Sequence, residues 1–298
     1  MKLTKIFAAA LAASTIAGSA FAADLPSRKV APVLAPAPVF TWTGFYIGLN
    51  AGLGWNAAGP QAGAQNFTGF DSAGAPIGTG VPGPTAAWNS GTSSPIGFTG
   101  GLTAGYNMQF TPWFVAGLET DIQFASIKGA GTVATFVPVG VNGIVTHNPS
   151  ILTAQKTDWF GTLRGRIGIT PFAPTFMVYA TGGLAYGNAK TAYTINDLYP
   201  TVPAILAGAA WGSSTRIGWT AGAGAEWAIT PNWSLKGEWL YVDLGKTTLA
   251  GVNSIQLAGP APFPIYTTTQ TYRHNFNVLR AGLNYRFGGV AGPVVAKY

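Results

Sequence analysis

Nine charged residues fall in short stretches where chemistry is conceivable: Glu119 and Asp121, Arg164 and Arg166, Glu226, Lys236 and Glu238, Arg280 and Arg286. A spacing of two puts both members of a pair on one face of a β-strand. Two neighbouring carboxylates such as Glu119 and Asp121 invite acid–base chemistry, because like charges drive their pKa values apart. Four acids facing five bases give a simpler reading, a mutual network of ion pairs. His147 and His274 lie far apart and have no metal-ligand spacing. His274 with Ser213, Ser214 or Ser254 would compose a base and nucleophile, yet no nucleophile motif surrounds any of these serines. Gly222-Ala223-Gly224 lacks the third glycine of a phosphate loop. The reading is therefore of no catalytic residue, no metal and no cofactor.

The elements that must position these charges have a period of two. In 280–287, Arg-Ala-Gly-Leu-Asn-Tyr-Arg-Phe, one face holds Ala281, Leu283, Tyr285 and Phe287, and the other holds Arg280, Gly282, Asn284 and Arg286. A strand with its apolar side outward and its arginines inward suits a transmembrane barrel, where lipid is the outer solvent. Eight such runs recur, at roughly 45–55, 98–110, 113–124, 159–169, 176–186, 217–229 and 233–243, with the eighth ending at Phe287. In the third, Ala116, Leu118, Thr120, Ile122 and Phe124 oppose Gly117, Glu119, Asp121 and Gln123. Inward glycines, Gly48, Gly52, Gly105 and Gly222, leave room for long Arg and Lys side chains.

The connections alternate in length. Thr111-Pro112, Pro171-Phe172-Ala173-Pro174 and Pro231-Asn232 are tight, whereas about 56–97, 125–158, 187–216 and 244–271 are long. Short turns on one side and long loops on the other is the topology of bacterial outer-membrane barrels. Aromatics gather at both ends of the runs, Phe45, Phe110, Trp113, Phe172, Trp233 and Phe287 near the turns and Trp55, Phe98, Phe124, Trp159, Tyr186, Trp219 and Tyr241 near the loops. About ten residues of tilted strand between two belts span roughly 25 Å, the height of an apolar membrane band.

Composition agrees. Charged residues are only 8% of the 298, too few to coat a soluble protein of this size, and the formal net charge is +7. There is no cysteine, which fits passage through an oxidising compartment and excludes a disulfide framework. Residues 1–22 read as a signal peptide: Lys2 and Lys5, an apolar run, and Ala20-Phe21-Ala22 as cleavage site. Residues 23–40, with Pro26, Pro32, Pro36 and Pro38, read as an extended periplasmic leader, 41–287 as the barrel and 288–298 as a C-terminal tail.

Three stretches carry a family resemblance: Trp42-Thr43-Gly44-Phe45-Tyr46-Ile47-Gly48, Tyr179-Ala180-Thr181-Gly182-Gly183-Leu184-Ala185-Tyr186-Gly187, and the terminal strand ending at Phe287. With them the chain resembles the small outer-membrane β-barrel proteins of alphaproteobacteria, the major outer-membrane group of rhizobia and brucellae often labelled "porin family". The resemblance covers the strands well and the long loops poorly. It implies an outer-membrane location, and Gly282, Tyr285 and Phe287 resemble the terminal-strand signal read by the barrel-assembly machinery. It also permits a pore, which the label implies, or haem as a ligand of the loops. Residues 288–298 depart from the pattern, since such chains usually end at the Phe.

The expectation is an all-β fold, a closed eight-stranded antiparallel transmembrane β-barrel with four long extracellular loops and three short periplasmic turns. Eight strands enclose a lumen just wide enough to be filled by side chains. A charge network plugging it, in a structural, surface-exposed envelope protein, is thus expected ahead of a small-solute pore or a loop-borne ligand or host-surface site. Expected partners are outer-membrane lipid and lipopolysaccharide, whose phosphates suit the residual basic charge, the assembly machinery, and peptidoglycan through the leader. No clustered basic patch for nucleic acid appears. The loop aromatics Phe67, Phe70, Trp88, Phe136, Tyr193, Tyr199, Trp211, Phe263 and Tyr266 are the candidates for surface recognition.

Overall fold

Eight long antiparallel strands pair in chain order and close on themselves, so each strand's alternation becomes an inner and an outer face. The computed structural model describes residues 40–57, 62–67, 91–93, 96–134, 137–139, 145–147, 150–198, 205–256 and 263–288. Signal segment 1–22, leader residues 23–39 and tail residues 289–298 lie outside the described residues. The barrel strands are β1 (Gly44–Asn56), β2 (Gly97–Thr111), β3 (Phe114–Ala134), β4 (Ser150–Ile169), β5 (Phe176–Leu198), β6 (Ile205–Ala228), β7 (Trp233–Gln256) and β8 (Phe263–Arg286). Each pairs with the next, and β8 pairs with β1 from Arg286 opposite Tyr46 to Phe276 opposite Asn56. Closure leaves no unpaired strand edge at membrane depth, which lipid would not tolerate.

The outer face carries the apolar band. Phe45, Ile47, Leu49 and Leu53 of β1, Leu118, Ile122 and Phe124 of β3, and Trp219 and Trp227 of β6 are all exposed. Their inward neighbours Tyr46, Asn50, Glu119, Asp121, Gln123, Thr220 and Glu226 are buried. This is the reverse of a soluble strand, as expected where the outer solvent is hydrocarbon. The band runs between two aromatic girdles. Trp113, Phe172 and Phe287 mark the short-turn side, and Trp159 against Tyr186 and Trp219 against Tyr241, with ring centroids 6.2 and 5.3 Å apart, mark the other.

Beyond the second girdle the structure corrects the expected loops. Strands β3 to β8 continue through stretches of 125–134, 150–158, 187–198, 205–216, 244–256 and 263–271 that the alternation assigns to loops. The ladder continues while its outer face turns polar, with Lys128, Lys156 and Lys190 exposed there. The amphipathic signature ends at the membrane edge; the strand does not. Short strands add to this upper rim, Ala62–Phe67 on β8 and Gly91–Ser93 on β3, and Val137–Val139 pairs Val145–His147.

Candidate functional site

The lumen is filled in three layers, and the expected charge network occupies only the middle one. At the periplasmic mouth Trp42, Val115, Met177, Tyr179 and Ala228 pack together, with Phe40 against them. Trp42 is fully buried and its indole Nε1 donates to the Pro174 carbonyl at 2.8 Å. Residue 40 therefore belongs with the barrel and not with an extended leader, and it enters the ring through a single bridge. At the outer end Ile127, Phe160, Ala185, Leu240, Val242, Leu244, Phe276 and Val278 form an apolar layer. Alternation does not announce it, because these residues are apolar on the inward positions of strands whose outward positions are apolar too.

Between the two lies the charge network, whose pairs begin in the strand register. Glu119 stands opposite Arg164, Glu226 opposite Lys236 and Glu238 opposite Arg280. Opposite charges at facing positions support the ladder. The side chains then reach across the lumen. Arg164 pairs with Glu119, with Asp121 at 2.9 Å and with Glu238 at 2.9 Å. Arg280 pairs with Asp121 at 2.8 Å and Glu238 at 2.6 Å, and Arg166 with Glu226 at 2.8 Å. Lys236 Nζ donates to Glu119 Oε2 at 2.9 Å. All eight are buried.

Neutral groups complete the shell. Tyr46 donates to Glu119 Oε2 at 2.7 Å and accepts from Arg166 at 3.0 Å, while Tyr179 donates to Glu238 at 3.1 Å. Ser234 and Asn284 both donate to Glu226 Oε1, at 2.6 and 2.9 Å. The Arg166 guanidinium lies 3.9 Å from the Tyr179 ring centroid. Composition could not single out these tyrosines; the readable signal is that Tyr46 faces Gly105 in register. A Cβ at Gly105 would meet the Tyr46 hydroxyl at 2.4 Å, so the glycine opens the space in which that ring lies.

Arg286 is a correction. Its place among the network residues follows from inward parity, but the structure sets it at the periplasmic mouth. There it lies 4.6 Å from the Phe40 ring centroid and 4.9 Å from that of Trp42, and it donates to the Pro231 carbonyl at 3.0 Å. Among the described residues it forms no ion pair. Without it, four acids meet four bases.

The remaining candidates are dispersed. His274 faces the lumen beyond the membrane band and is buried, while Ser213 and Ser214 are exposed. Burial, with Arg216 nearby, holds the His274 imidazole down at about 4. The side chains of His147 and Ser254 lie outside the described residues. Of the terminal-strand residues, Tyr285 meets Trp233 and Phe287 edge to face, centroids 5.0 and 5.1 Å away, and Phe287 N donates to the Phe45 carbonyl at 2.8 Å. Gly282 faces the lumen beside Asn50 and Lys236. Tyr193 corrects another expectation: it lies in β5 and is buried, so it presents no recognition surface. Trp211, in β6, is 83% exposed. The side chains of Phe67, Phe263 and Tyr266, and Phe70, Trp88, Phe136 and Tyr199 entirely, lie outside the described residues.

A closed eight-stranded ring with a lipid-facing apolar band and a charged, filled interior defines an outer-membrane β-barrel. The chain belongs to the family described as outer membrane protein beta-barrel domain, which matches residues 8–287. It is similar to the 31 kDa outer-membrane immunogenic protein of Brucella melitensis, 38% identical over 276 residues that cover 92% of this chain and 96% of that one. It is also similar to the 22 kDa outer membrane protein of Rhizobium leguminosarum, 26% identical over 206 residues, 69% of this chain and 66% of that one. Among solved structures, the outer membrane protein OprG of Pseudomonas aeruginosa aligns over 83% of this chain and 98% of its own at 13% identity, with a TM-score of 0.37. The protein resides in the outer membrane.

Proposed function

We propose that the protein is a closed structural barrel that contributes to envelope integrity and displays its upper strands at the cell surface, without conducting solutes and without catalysis. The observation that carries this reading is the Lys236–Glu119 contact, which crosses the full width of the lumen between an outer apolar layer and a periplasmic aromatic one. A pore would need those three layers to part together. The Brucella melitensis relative is named an immunogenic outer-membrane protein, which supports surface display. Gly282, Tyr285 and Phe287 serve, in this reading, as the signal for the barrel-assembly machinery, and the leader as the link to peptidoglycan.

Planar-bilayer recording of the purified full chain tests the closed lumen. The expected result is no stable single-channel step. Large, long-lived conductance would replace the structural reading with the small-solute pore.

A further inference from the structure

Just beyond the second aromatic girdle, three lysines stand side by side on the outer wall. Lys128 of β3 faces Lys156 of β4, and Lys156 faces Lys190 of β5, each directly across the ladder. Adjacent strands are roughly 5 Å apart, so the row is about 10 Å wide. All three side chains are exposed. Like charges directly opposite one another weaken a sheet, and here two such pairs are adjacent. One acid answers them: Asp158 pairs with Lys156 at 2.5 Å and Lys190 at 2.7 Å. Lys128 has no acidic partner among the described residues.

The row is built by a local irregularity. Trp159 faces lipid, so strict alternation would turn Lys156 into the lumen. The register of β4 shifts by one residue between Lys156 and Phe160, and that bulge turns Lys156 outward. Asn188 of β5 accommodates it, its Oδ1 accepting from the amides of Asp158 and Trp159 at 2.8 and 3.1 Å. On the other side of the barrel Lys246 of β7 faces Arg273 of β8, and Asp243 pairs with Arg273 at 2.6 Å. Two exposed cations share one acid there, against three in a row on β3 to β5.

Directly beneath the lysines lie Phe124, Trp159 and Tyr186, then Leu163 and Leu184 on the lipid-facing wall. From the rim inward the wall reads as cation, aromatic, aliphatic, the profile complementary to an amphiphile with a phosphorylated head and acyl chains. We propose that Lys128, Lys156 and Lys190 form a docking site for the phosphorylated diglucosamine head of outer-leaflet lipopolysaccharide, with its acyl chains against the apolar wall below. The site rests on the outer-membrane location and is independent of whether the lumen is closed.

The test is binding of purified bisphosphorylated lipid A to the full chain folded in uncharged detergent, followed by native mass spectrometry. Dephosphorylated lipid A and phosphatidylglycerol are the comparison ligands. The triple variant K128Q/K156Q/K190Q should lose affinity by roughly tenfold or more, given that each lysine near an anionic surface contributes appreciably. Dephosphorylation should cost the wild type a similar factor, and K246Q, an exposed lysine of β7 outside the row, should bind as wild type. K128Q alone, which removes a side chain with no ion pair among the described residues, should weaken binding in a barrel whose fold is not in question. Unchanged affinity in both K128Q and the triple variant overturns the proposal. So does phosphatidylglycerol binding as tightly as lipid A, or an equal loss in K246Q.

Discussion

Lys236 and Glu119 stand on β7 and β3, four strands apart in a ring of eight and thus on opposite walls, yet their side chains meet at 2.9 Å. Neither residue reaches this contact alone. Lys236 extends over Gly282, where a Cβ would lie 3.6 Å from the lysine Cε. Glu119 is held in place by Tyr46 and Arg164. The contact ties two walls that share no hydrogen-bonded ladder, and so it fixes the cross-section of the barrel as backbone pairing alone does not.

Glu238→Ala should be among the most damaging substitutions. It leaves Arg164 and Arg280 short of a shared carboxylate and Tyr179 without its acceptor. Removing one member of a buried charged cluster costs about 3–5 kcal/mol. Asp158→Ala, on the exposed outer rim, should change stability by about 0–1 kcal/mol. Urea titrations of both variants in lipid vesicles measure the difference; equal midpoints would show that the lumenal charges do not hold the barrel together.

Trp42→Ala should open the periplasmic mouth. The indole is fully buried against Val115, Met177 and Ala228 and donates to Pro174. Large-to-small changes of this kind cost about 3–5 kcal/mol. The same substitution removes one of the two aromatic partners of Arg286, so a Trp42→Ala barrel should unfold at lower urea while the charge network above it persists. Near-ultraviolet circular dichroism distinguishes the two regions: signal lost uniformly from all aromatics would mean that the mouth and the network are one cooperative unit.

Much of this was legible in the residues because the membrane enforces period two: Phe45, Ile47 and Leu49 point outward and Glu119, Arg164 and Glu238 inward as parity requires. Three things escaped that logic. Above the girdle the outer wall faces water, so the alternation of apolar and polar faces that marks a strand disappears although β5 runs on to Leu198. Parity also says which wall a side chain faces but not its height or its partner. Arg286 and Arg280 share a face, yet one stacks on Trp42 and the other pairs with Glu238. The bulges before Trp159 and after Asp243, the latter with Gly245 at φ 82°, reverse parity itself and turn Lys156 and Lys246 outward.

His274 should make the upper barrel sensitive to acid. It lies beyond the membrane band with its imidazole depressed to about 4 by burial and by Arg216, against the opposing pull of Asp243. The unfolded chain takes up this proton near pH 6.5. A folded-state pKa below the unfolded value means that stability is unaffected above about pH 6.5 and declines as pH falls from there toward 4. The loss should be on the order of 1–3 kcal/mol. His274→Gln should remove that part of the pH dependence. Identical urea midpoints for wild type and variant at every pH between 7.5 and 4 would rule it out.

The terminal strand should govern assembly. Tyr285 and Phe287 present outward aromatics at the seam, where β8 meets β1 and closes the ring, with Phe287 N bonded to the Phe45 carbonyl. Whatever machinery inserts the barrel must handle this strand before the seam is made, and the two rings are then still accessible. Phe287→Ala, or deletion of 280–298, should therefore leave the protein unfolded and degraded in the periplasm, with loss of the heat-modifiable band in outer-membrane fractions. Deletion of 288–298 alone is the sharper comparison. Because the seam and both aromatics survive in that variant, it should insert at close to the wild-type level. Failure of the short deletion, with Phe287→Ala inserting normally, would move the signal out of β8 and into the residues that follow it.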